Sequence, residues 1–200
     1  MLKQAMLYTA LGFLVLAEPA IAQESATTLA NTVCSSCHGP QGVSISPIFP
    51  RLAGQNASYL EAQLKAFHNQ SRTDPDAQAY MWGMAAQLDN STIDSLAKYY
   101  ASLPPAPGTP MPMEEVSGGE QIFHDGVAAA NVPACAVCHG VHAQGVGSFP
   151  RLAGQQSEYI IRQLMAFKSG DRSNPVMQEV AQGLNTHEMR ELAAYLHSLS

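Results

Sequence analysis

One short pattern occurs twice in this chain, as Cys34-Ser35-Ser36-Cys37-His38-Gly39 and as Cys135-Ala136-Val137-Cys138-His139-Gly140. The two copies use all four cysteines of the 200 residues. They head a longer repeat. Phe49-Pro50-Arg51-Leu52-Ala53-Gly54-Gln55 returns as Phe149-Pro150-Arg151-Leu152-Ala153-Gly154-Gln155. At the same offset Tyr59, Gln63, Leu64, Ala66, Phe67 and Arg72 match Tyr159, Gln163, Leu164, Ala166, Phe167 and Arg172. Further on, Leu96, Ala97 and Tyr99 answer Leu192, Ala193 and Tyr195 at an offset of 96. A duplication in order folds as two tandem units. Pro104-Pro105-Ala106-Pro107-Gly108-Thr109-Pro110-Met111-Pro112 separates them and is neither helix nor interior strand. The expected division is residues 23–103, a linker over 104–115, and residues 116–200.

The first 22 residues stand apart. Lys3, an apolar stretch around residues 11–16 and Ala20-Ile21-Ala22 form a basic start, a short apolar core and a cleavage site. Together they make a secretory signal peptide cut after Ala22. The apolar run is shorter than the ~20 residues that span a bilayer. The mature chain is thus expected in an oxidising compartment. Ten basic residues against 16 acidic give a formal net charge of −6. That balance argues against nucleic acid as a partner, because phosphate contacts need clustered Lys and Arg.

Each half reads as short helices joined by loops, so the fold class is all-α. Ile93, Leu96, Ala97, Tyr100 and Leu103 keep helical spacing, with Asn90 or Ser91 as N-cap. Met189, Leu192, Ala193, Leu196 and Leu199 repeat that face. Residues 59–67 and 159–167 form a second helix in each half. Ser117-Gly118-Gly119-Glu120 reads as a capping-box start for the helix leading into the second cysteine pair.

Domains of ~80 residues with so little regular structure need something more to complete a core. Cys-x-x-Cys-His is the attachment pattern of c-type haem. Two thiols three residues apart on a turn reach the two vinyl groups of one porphyrin, and the adjacent His gives a nitrogen to its iron. Disulfides or a Cys/His zinc site are the alternatives. Neither accounts for a His directly after the second Cys in both halves.

These residues carry a resemblance. Two class I cytochrome c domains, each with CxxCHG, then F-P-R-L-A-G-Q, a Met and a Tyr-bearing terminal helix, resemble the dihaem cytochrome c4 family over residues 28–199. The resemblance implies two covalently bound haems c, attached at Cys34, Cys37, Cys135 and Cys138, with His38 and His139 on the irons. It implies a periplasmic electron carrier with peripheral membrane association, passing electrons from a quinol-oxidising bc complex to a terminal oxidase. It also places the sixth ligand. Met81 and Met177 each lie seven residues before Leu88 and Leu184, the family's ligand position. Met84 is the competitor, where the second half has Val180.

Other candidates are weaker. Arg51 and Arg151 follow the attachment loops and either pair with haem propionates or are ordinary surface arginines. Pro47 resembles the family residue whose carbonyl holds the ligand ring, and Gly147 stands at its place in the second half. His68, His124, His142, His187 and His197 have no repeat equivalents and read as solvated. The first half lacks counterparts of Gly119 and Phe123 before its cysteines, so its terminal helices are expected to clamp less tightly.

Three function classes follow. An electron carrier needs two closed His/Met irons. A dihaem peroxidase needs an open iron, and both halves supply a Met. A cytochrome subunit of a dehydrogenase oxidising sulfur compounds or alcohols would take its substrate site from a partner. The reading adopted is a carrier with redox protein partners and no catalysis of its own.

Overall fold

The computed structural model describes residues 26–200, so the expected signal peptide over residues 1–22 lies outside the described residues. The fold rests on six helices: α1 Ala57–His68, α2 Asn90–Ser102, α3 Met113–Asp125, α4 Ser157–Ser169, α5 Pro175–Gly183 and α6 Thr186–Ser198. A helical stretch from residue 26 precedes them, passes through a π-helical turn at Ala30–Cys34 and ends in Ser35–His38. Strands are absent among the described residues, where the only pairing is an isolated bridge between Val127 and Val132. The chain is all-α, as the periodicity predicts.

The terminal helices form where the apolar spacing puts them, but their starts differ from expectation. α2 is capped by Asp89, not by Asn90 or Ser91: its Oδ1 accepts from the Thr92 N–H (2.7 Å) and the Ser91 hydroxyl (2.9 Å). A carboxylate one residue earlier satisfies a free amide and places negative charge at the positive end of the helix. α6 closes a full capping box, with Asn185 and Glu188 exchanging side-chain-to-backbone bonds.

α3 departs further. It begins at Met113, so Ser117–Glu120 lies inside it, and residues 113–115 of the expected linker are helical. Glu114 and Glu115 occupy its first turn, where acidic side chains suit the helix dipole. The two glycines serve packing. A Cβ on Gly119 would lie 2.1 Å from the Glu191 carbonyl, and one on Gly118 would strike the Glu191 carboxylate. They let α3 lie directly against α6.

The second domain has one continuous core, with Phe123, Leu184, Met189, Leu192 and Leu196 at its centre. The first domain has two smaller clusters. Ala26 and Ala30 pack with Leu60, Leu96, Ala97 and Tyr100 in one, and Phe67, Ala77 and Ala85 form the other. Alanines stand where the second domain brings Phe123 against α6, so less apolar surface is buried there. The linker lies along the second domain: Ala106 is buried, and the Thr109 N–H donates to the His197 carbonyl at 3.0 Å.

Candidate functional site

Each Cys-x-x-Cys-His pattern ends in a single helical turn, Ser35–His38 or Ala136–His139. One turn brings the two thiols of a pair to the same side. A glycine then breaks the helix in the left-handed half of φ, Gly39 at 76° and Gly140 at 82°. Glycine adopts that conformation at no steric cost. No two of the four cysteines are joined in a disulfide. Burial pushes the Cys34 thiol up, and pushes Cys135 up to about 11. Groups of three or more His, Cys, Asp or Glu able to hold a metal are absent among the described residues.

Both histidine rings are buried and fixed by one bond each. The His38 Nδ1–H donates to the Pro50 carbonyl (2.9 Å), and the His139 Nδ1–H to the Pro150 carbonyl (3.0 Å). That corrects the expectation for Pro47 and Gly147. The loop explains the change. The Gly42 carbonyl accepts from Leu52 N (2.8 Å) and Ala53 N (3.3 Å), and Ala143 does the same for Leu152 (2.8 Å) and Ala153 (3.0 Å). Those bonds fold each Phe-Pro-Arg-Leu stretch back onto its pattern and deliver the proline carbonyl to the ring. Gly147 instead turns its carbonyl to the Ser58 hydroxyl across the domain boundary. With Nδ1 donating, Nε2 carries the free lone pair. Burial lowers both ring pKa values against the opposing pull of the proline carbonyls, so both imidazoles are neutral at pH 7 and competent to bind a metal.

Phe49 stands edge-on between His38 (centroids 6.2 Å) and Tyr80 (5.2 Å), the residue before Met81. Phe149 meets His139 in the same way at 6.1 Å. The segment carrying Met81 therefore shares a face with His38. Met81 is half-buried against Phe67, Ala77 and Ala85, whereas Met84 is 47% exposed. Met177 is half-buried on the second core, and its N–H donates to Asn174 Oδ1 at 3.0 Å.

The two arginines of the repeat differ. Arg51 uses its guanidinium on carbonyls: Nε donates to Ser44 (3.3 Å), and Nη1 to Pro107 (2.9 Å) and Gly154 (2.5 Å). Arg151 leaves Nε and Nη2 buried without a partner. An unpaired buried guanidinium calls for an anion, and a propionate meets that need. With paired thiols, an imidazole fixed at Nδ1 and a thioether in each half, the residues present fit two c-type haems.

Repeat positions without an assigned role build the contact between domains. Gln155 Oε1 accepts from Arg51 N (2.8 Å) while its Nε2 donates to the Arg51 carbonyl (3.0 Å). Gln55 does the same with Arg151, at 2.7 and 2.9 Å. Deeper, the buried guanidinium groups of Arg72 and Arg172 both donate to Gln63 Oε1 and to Gln163 Oε1, at 2.7 to 2.9 Å. Each sits over a phenylalanine ring, Arg72 4.7 Å from Phe67 and Arg172 4.5 Å from Phe167. Polar residues recurring at one offset in both halves were the available signal. The other histidines are exposed, except His197, which is half-buried and donates from Nδ1 to the Gln155 carbonyl (2.8 Å).

Comparison with known proteins agrees with this geometry. The family model described as cytochrome c matches residues 23–104 and 116–200. The chain is 38% identical over 177 residues to cytochrome c4 of Thiocapsa roseopersicina, covering 86% of this chain and 89% of that one. It is similar to the solved cytochrome c4 of Acidithiobacillus ferrooxidans, with a TM-score of 0.80 and 45% identity over 83% of this chain and 98% of that one. A thiosulfate dehydrogenase electron acceptor of Thiomonas intermedia (strain K12) is 37% identical over 171 residues, 82% of this chain and 76% of its own.

Proposed function

Because this chain belongs to the cytochrome c family and, within it, to the dihaem cytochrome c4 group, we propose that it carries electrons through two closed His/Met sites and performs no bond chemistry. It binds two haems c covalently and is an electron-transfer cytochrome. Each haem supplies an iron that accepts and releases one electron. In this reading Cys34 and Cys37 hold the first porphyrin and Cys135 and Cys138 the second. His38 with Met81, and His139 with Met177, would bind the two irons.

The protein's part is positioning. Proline carbonyls orient the two rings, partly buried thioethers favour the reduced iron, and Arg151 would meet a propionate. Arg51 is committed to holding the second domain and the linker. The observation that carries the reading is that each pinned imidazole is matched, in its own half, by a partly buried methionine. The route proposed is periplasmic, from a quinol-oxidising bc complex to a terminal oxidase, after export through residues 1–22. Among the described residues, no helix is long and apolar enough to cross a membrane.

Stopped-flow mixing of the reduced protein with membranes holding a terminal oxidase is expected to oxidise both haems rapidly. Peroxide turnover, or carbon monoxide binding by the native reduced protein, would reveal an open iron and overturn the reading. A second route is favoured by the Thiomonas relative: electrons arriving from a thiosulfate-oxidising dehydrogenase. Co-purification of such an enzyme from the source organism, with thiosulfate-dependent reduction, would select it.

A further inference from the structure

We propose that the second domain holds the axial-ligand segment of the first, so that Arg162 and Gln163 are positioning residues for Met81, while Met177 is held from within its own domain. The proposal rests on the assignment of Met81 and Met177 as iron ligands.

The two ligand segments begin alike and then diverge. Arg72 and Arg172 stand 100 residues apart, whereas Met81 and Met177 stand 96 apart. The first segment thus has four extra residues between its arginine and its methionine. In the second, Asn174 caps α5, Pro175 opens it, and the Met177 N–H bonds to the Asn174 side chain. A side-chain cap bonded to the N–H of Met177 itself fixes the start of that helix at the methionine.

The first segment also opens on a proline, Pro75, but it lacks the side-chain cap. Asp74 stands where Asn174 caps, but its carboxylate is turned to the Arg72 Nε (2.7 Å). The extra residues are taken up in a π-helical turn, Ala77–Met81, followed by one α-helical turn, Trp82–Ala85. That π turn interrupts the α-helical ladder within a helical run over residues 75–85, whereas α5 is regular.

The missing support comes from across the domain boundary. Arg72 Nη2 donates to Gln163 Oε1 (2.7 Å), the Thr73 hydroxyl donates to the Asp171 carbonyl (2.7 Å), and Asp76 pairs with Arg162 at 3.2 Å. These three contacts fall within five residues directly before the turn. On its far side, Trp82 Nε1–H donates to the Arg72 carbonyl (2.8 Å) and closes the segment into a loop. Gln178, at the place of Trp82 in the second domain, leaves that segment without an equivalent closure. Arg172 reaches Tyr59 and Gln63 of the first domain, but α5 already holds Met177 locally. Support therefore runs in one direction.

The test uses the full dihaem protein and imidazole as probe, which binds ferric iron only when the methionine has let go. In a Met177→His background the thioether charge-transfer band reports the first haem alone, and in a Met81→His background the second alone. Thr73→Val with Arg162→Ala removes two cross-domain contacts without touching either core. Imidazole binding at the first haem is expected to speed up about fivefold, as the loss of two modest polar contacts allows. Binding at the second haem is expected to be unchanged. Equal acceleration at both haems would mean general loosening and overturn the proposal, as would no acceleration at the first. If Met81→His leaves the first-haem band in place, the ligand assignment has failed instead.

Discussion

A single hydrogen bond fixes the tautomer of each proposed ligand ring. With Nδ1 of His38 and His139 donating to Pro50 and Pro150, only Nε2 is left to coordinate. The choice between Met81 and Met84 turns on packing, since Met81 lies against Phe67 and Met84 faces solvent. Met81→His is expected to abolish one of two thioether bands and lower that haem's potential by a few tenths of a volt, within the ~0.8 V that axial ligands span. Met84→Leu should leave both bands and both potentials in place. Spectra and redox titration of the two variants decide it. The buried cluster offers a second check. Asp74 pairs with the Arg72 guanidinium of that cluster, 2.7 Å from its Nε. Asp74→Ala would leave a buried cation uncompensated and is expected to cost about 3–5 kcal/mol in denaturant unfolding. Asp74→Asn keeps a hydrogen-bond acceptor and should cost less.

Helix ends show where local chemistry was readable and where packing took over. The capping box of α6 and the apolar faces of α2 and α6 follow from residue spacing alone. The start of α3 does not, because Gly118 and Gly119 look like a boundary until Glu191 is seen beside them. Asp89 bears on the pH dependence of α2. Its bonds from Thr92 and Ser91 hold its carboxyl below the usual carboxylate range. A depressed folded-state pKa contributes stability that is present above the unfolded value and lost as pH falls through the folded one. Asp89→Ala is therefore expected to lower the melting temperature at pH 7, and the gap to the native protein should close as pH falls below the ordinary carboxylate range. Thermal unfolding at several pH values measures both.

Taken whole, the molecule is two similar domains with unequal cores, joined by a polar interface that repeats the duplication. The reciprocal bonds of Gln55 and Gln155, and the shared glutamine oxygens beneath Arg72 and Arg172, hold one relative orientation. Each domain nonetheless has its own thiols, imidazole and thioether. Cys34→Ala with Cys37→Ala is expected to remove one covalent haem, read as one haem mass lost by mass spectrometry. The second haem should keep its thioether band, because the single large core belongs to the second domain. Loss of both bands would show that the domains cannot be loaded independently.

Duplication, class and cofactor were legible in the chain because each depends on residues close in sequence. A CxxCH turn needs five consecutive positions, a helix face needs spacing of three and four, and a linker needs proline. Everything spanning the domain boundary was hidden. Gln55, Gln63, Arg72 and their partners were visible as repeated letters, but a repeat is silent on whether its copies touch. The ring acceptor was misplaced from Pro50 to Pro47 because loop closure by the Gly42 carbonyl sets it. Local periodicity encodes an element, whereas the partners of a buried polar group are set by which distant segments the fold brings within hydrogen-bond reach.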